Sequence, residues 1–78
     1  MDRTTFLKLC QIAAVNQGDL HSFEAVKFNE IVYKPVGYQL EFDRQGNPVH
    51  TAILKDLKAD SLLYCRLEDV KIFKKNLV

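Results

Sequence analysis

Thiols, imidazoles and neighbouring acids are the groups in this chain equipped for chemistry, so their spacing comes first. Cys10 and Cys65 are its two cysteines, and His21 and His50 its two histidines. A cysteine nucleophile needs a base within reach of its proton, and Cys65 with His50 is the one pair that neighbouring strands can bring together. Cys65 nevertheless alternates with Leu63 and Leu67, which turns it into the core. The expected role is structural. His21 and His50 lie far apart, with no cysteine, histidine or carboxylate at ligand spacing beside either, and there is no paired-cysteine knuckle. Glu68 and Asp69 are adjacent in a turn and therefore point apart. Gly18, Gly37 and Gly46 form no phosphate-cradling loop. The expectation is a non-enzyme with no catalytic residue, metal or cofactor, and with no pocket that gathers titratable groups.

Binding chemistry is better represented. Tyr33, Tyr38 and Tyr64, with Lys34, Arg44 and Arg66, offer rings for stacking and cations for phosphate, and Lys71, Lys74 and Lys75 add a basic patch near the end. Tyr38 follows the core-facing alternation, which leaves Tyr33 and Tyr64 for an outer face. Eleven basic residues against ten acidic ones give a net charge of +1, so no global field draws nucleic acid. Apolar positions left over from the core patterns, Ile12, Val15, Ile31, Leu62, Tyr33 and Tyr64, suit an interface with a protein partner or with a second copy. A protein-interaction or assembly module is the favoured reading, and a nucleic-acid-binding barrel is the alternative.

These groups must be positioned by one domain, since 78 residues is well short of the length at which chains divide. The composition is 47% hydrophobic with five Phe, enough for a core without a disulfide scaffold. Both cysteines lie in apolar runs as free thiols, which suits a reducing, cytoplasmic setting. No basic region followed by a long apolar stretch opens the chain, and no segment is long enough to span a bilayer. No membrane association is expected.

Along the chain, Phe6, Leu9, Cys10 and Ala13 recur at helical spacing, so residues 3–16 are expected to be a helix capped by Asp2 or Thr4 and closed near Gly18. Ile12 and Val15 fall off its apolar stripe. Residues 17–24 connect to a short strand at 25–28, and Asn29-Glu30 is a turn. Val32, Val36, Tyr38, Leu40 and Phe42 share one parity and Gln39 and Glu41 the other, which gives a half-buried strand over 31–42. Pro35 and Gly37 interrupt it, so it is either two strands or one strongly bent one. Asp43–Pro48 is a turn, Val49–Leu57 the return strand, 58–61 a second turn and Leu62–Leu67 the next strand. Val70–Phe73 is a short last strand, with a tail at 74–78. The expected class is α+β: an N-terminal helix packed on a strongly bent four- to five-stranded antiparallel meander over 25–73. The meander either curls into a small barrel or stays an open sheet with the helix on one face.

The strand Ser61–Leu67, followed by Leu67-Glu68-Asp69-Val70 and a short final strand, resembles the end of Sm-like and SH3-like small barrels. The likeness spans residues 25–73 and lies in the pattern of elements. It implies a closed barrel of a kind that binds RNA, DNA, peptides or further copies of itself. The run Asn47-Pro48-Val49-His50-Thr51-Ala52-Ile53-Leu54-Lys55-Asp56-Leu57-Lys58-Ala59 is also similar to small proteins carried on mobile elements of Gram-positive bacteria.

Overall fold

A computed structural model describes residues 1–15 and 25–73. The expected connector at 17–24 with Gly18 and His21, the helix end at Asn16, and the tail with Lys74 and Lys75 lie outside the described residues.

Helix α1 spans Arg3–Val15. Asp2 starts it: its carboxylate Oδ2 accepts the Thr5 N–H at 3.1 Å, and its carbonyl accepts the Phe6 N–H at 3.1 Å. These bonds satisfy amides that have no partner within the helix. Phe6, Leu9 and Ala13 are buried along one stripe, as the spacing predicts. No helix among the described residues is long and apolar enough to cross a membrane.

Among the described residues five strands follow: β1 (Val26–Phe28), β2 (Ile31–Phe42), β3 (Pro48–Asp56), β4 (Leu62–Arg66) and β5 (Lys71–Ile72), with a 3-10 turn, η1 (Leu67–Asp69), before the last. They form one antiparallel sheet in the order β4-β3-β2-β1-β5. Among the described residues the sheet is open, with β4 and β5 at its two edges, so of the two expected arrangements the open sheet is the one observed. It also departs from a simple meander. The last strand does not lie beside β4; η1 carries the chain back so that Lys71 and Ile72 pair with Lys27 and Val26.

Local chemistry fixes the turns. Asn29 and Glu30 both have left-handed backbone, φ 49° and 65°, the conformation that a two-residue hairpin with right-twisted strands requires. Asp43 closes the β2–β3 hairpin by accepting the N–H groups of Gln45 and Asn47 on Oδ1, each at 2.9 Å, while Gly46 supplies a φ of 80°. Asp56 does the same for β3–β4, accepting from Lys58 at 2.7 Å and Ala59 at 3.1 Å.

The long strand β2 is one strand with a bulge. Pro35 pairs with Leu54 and Gly37 with Ile53, so Val36 is the extra residue. An extra residue reverses the inward–outward count on one side of it. Tyr33 and Pro35 therefore face the helix along with Tyr38, while Val36 is exposed. This corrects the expected placement of Tyr33 on an outer face, and of Val32 and Val36 with the core set. Leu40 and Phe42 keep Tyr38's side of the strand but run past the helix, leaving Phe42 66% exposed. The core consists of Phe6, Leu9, Val26, Tyr33, Ala52, Leu54, Leu67 and Val70, with Cys10, Phe28, Tyr38, Leu63 and Cys65 packed against it.

Candidate interaction surface

Helix α1 covers one face of the sheet, and the other face collects five of the binding residues expected from sequence: Lys34, Leu62, Tyr64, Arg66 and Lys71. Register defines it row by row. Lys34, Lys55 and Leu62 lie abreast on β2, β3 and β4; Gly37, Ile53 and Tyr64 form the next row, and Gln39, Thr51 and Arg66 the one after. Strict alternation puts all of these on the side opposite Leu54, Ala52, Leu63 and Cys65. Gly37 leaves room that the Ile53 side chain borders, since a Cβ there would stand 3.4 Å from Ile53 Cδ1. At the far side of this face Lys71 sits opposite Lys27, whose ammonium lies 5.9 Å from the centre of the Phe73 ring.

Leu62 is 55% exposed and Tyr64 58%, neighbours of like side on a strand that ends the sheet. They are the largest apolar groups that β3 and β4 present to solvent. The cations around them are largely matched by acids: Lys55 with Asp60 at 2.8 Å, Arg66 with Glu68 at 3.5 Å and Lys27 with Glu30 at 3.3 Å. Such exposed pairs contribute little to stability, but they cancel much of the positive field that phosphate would meet. The Lys55 hydrogen bond lowers the pKa of Asp60, so that pair stays charged well into the acid range.

The remaining candidates go elsewhere. Tyr33 is buried under the helix, only 8% exposed, and cannot stack on a ligand. Arg44 stands at the tip of the β2–β3 hairpin. Ile12 and Val15 are exposed on α1, and Ile31 is exposed beside the β1–β2 turn on the helix side of the sheet. The apolar residues grouped by sequence thus belong to separate regions, with Leu62 and Tyr64 alone on the uncovered face.

One cleft does gather titratable groups, against expectation. It encloses about 450 Å³ where β3 outruns β4, bordered by Arg3, Asp43, His50, Arg66 and Glu68. His50 is committed there to Tyr38, whose ring stacks on it at 5.9 Å and whose hydroxyl meets its Nδ1. Neither cysteine borders the cleft, and no hydrogen bond joins Cys65 to His50 among the described residues. Burial raises the pKa of both thiols, Cys10 to about 11, and nearby Asp69 adds to the shift at Cys65. A raised pKa suppresses the thiolate that nucleophilic chemistry requires. The Tyr38–His50 pair escaped sequence reading, although counting outward from the Asp43–Asn47 turn sets Leu40 opposite His50 and Tyr38 diagonal to it. Among the described residues no cluster of His, Cys, Asp and Glu has the make-up to hold a metal ion.

Compared with known proteins, the chain matches no family model, no curated protein and no solved structure.

Proposed function

We propose that this chain is a non-enzymatic, cytoplasmic protein-interaction module built on the plan of an SH3-like or Sm-like small barrel, with the helix-free face of β3 and β4 as its working surface. The bulged β2, the 3-10 turn between β4 and β5 and the return of β5 to β1 support the plan. The two free cysteines support the compartment. The observation that carries the function is the exposure of Leu62 and Tyr64 side by side on an edge strand. Large apolar and aromatic side chains of this kind anchor protein interfaces. Nucleic acid is the second reading, favoured by Lys34, Arg66 and Lys71 sharing the face with Tyr64. The matched acids weigh against it.

A photo-crosslinking amino acid placed at position 64 tests the choice, with the same group at Arg44 as a control. The reading expects a protein trapped at 64 and not at 44. Capture of nucleic acid at 64, with binding that weakens steeply as salt rises, would replace it with the second reading.

A further inference from the structure

We infer that the occupant of this surface is a second copy of the chain, joined edge to edge through β4 in antiparallel pairing about a twofold axis at Leu63; the inference rests on the interaction reading above and names its partner. Strand β4 has β3 on one side and no strand on the other among the described residues. Every second residue of an edge strand turns its N–H and C=O outward, and those groups call for another strand. Proteins usually blunt such an edge with proline, a bulge or charges along it. The opposite edge is blunted by length, since β5 has two residues. Strand β4 reads Leu-Leu-Tyr-Cys-Arg, with no charge before its last residue, no proline and no bulge.

The sequence of β4 selects both partner and register. With the axis at Leu63, Leu62 lies opposite Tyr64 of the second copy and Tyr64 opposite its Leu62, so the two exposed side chains cover one another. Directly opposed aliphatic and aromatic residues stabilise strand pairs. Moving the axis to Tyr64 sets Leu62 against Arg66, an apolar side chain against a charged one. Apolar matching along the strand therefore selects Leu63. The result is one continuous sheet through both copies, with a shared row of two leucines and two tyrosines on the helix-free face. A contact of five residues per strand belongs to the small, weak class of interfaces.

Sedimentation across the micromolar range should show the mass rising from one chain to two, and Tyr64→Lys should hold the protein at one chain with an unchanged circular dichroism spectrum. Register is read by disulfide formation in protein carrying Cys10→Ala and Cys65→Ala. Leu62→Cys mixed with Tyr64→Cys should cross-link readily under mild oxidation, because opposed strand residues lie within disulfide reach, and each alone should react far more slowly. A single-chain mass throughout the range overturns the inference, and rapid cross-linking by Tyr64→Cys alone overturns its axis. A monomer that still traps a different protein at position 64 defeats the dimer and leaves the interaction reading standing.

Discussion

Tyr33 and Tyr64 are both strand tyrosines with opposite fates, the bulge at Val36 turning Tyr33 under the helix while regular pairing leaves Tyr64 on the open face, and a pair of truncations measures the difference. Tyr33→Ala removes a ring packed among Phe6, Leu9, Val26 and Leu54 with 8% of its surface in water. Emptying such a site costs about 3–5 kcal/mol, by comparison with other buried aromatic residues. A chain of 78 residues has about 4–12 kcal/mol in total, so the loss consumes a large share of it. The entropy of unfolding for this length is about 0.16 kcal/mol per kelvin, which converts the loss into a fall in Tm of about 20–30 °C. Tyr64→Ala, at a position 58% exposed, should cost under about 1 kcal/mol, or at most about 6 °C. Thermal unfolding followed by circular dichroism, on dilute protein so that association does not contribute, gives both numbers. Equal shifts, or a Tyr33→Ala protein that melts within a few degrees of the parent, would refute the parity reversal and the core built on it.

Three further outcomes follow from the turns and thiols. Gly46→Ala forces a side chain onto a φ of 80° and should cost about 1 kcal/mol by urea titration, whereas Gly37→Ala, which meets only ordinary contact with Ile53, should stay within about 0.5 kcal/mol. Asp56 is held below its usual pKa by the Lys58 and Ala59 amides, Asp43 by the Asn47 amide and Asp2 by its hydrogen bond with Thr5. Their folded values lie below the unfolded one, so their stabilisation is present above about pH 4 and is lost as pH falls through the folded values. Urea midpoints should therefore drop below about pH 4, and less steeply in Asp56→Ala. Cys10, with its pKa near 11, should react with a disulfide reagent at pH 8 about a hundredfold more slowly than the same thiol in urea-unfolded chain; matching rates would remove the case against thiolate chemistry.

What could be read in advance divides along a physical line. Periodicities held wherever the chain stays in phase with itself: Phe6, Leu9 and Ala13 mark the buried stripe of α1, Cys65 alternates into the core side with Leu63, and Asn29-Glu30 turns. Phase was lost at Val36. Counting by twos through Pro35 and Gly37 treats every residue as paired, and the unpaired one reversed Tyr33 and Val32. Strand partnership beyond a hairpin was also out of reach, because nothing in Lys71-Ile72 specifies Val26 and Lys27 over the nearer β4. Lys34, Arg66 and Lys71 were named for charge, Tyr64 for its ring, and Leu62 with Ile12, Val15 and Ile31 for apolarity; strand register sets the first five on one face, while Ile12, Val15 and Ile31 lie elsewhere.

The return of β5 to β1 also sets an order of events. Strands β2, β3 and β4 are joined by short hairpins, and closing short loops costs little entropy. Strand β1, by contrast, is held between β2 and a strand whose residues are 71 and 72, and the core above it requires Leu67 and Val70. That edge cannot close until residues more than forty positions apart have met. The last step of folding is therefore the slow non-local one, and amide exchange should find the β1–β5 edge opening long before the β2–β3 hairpin does.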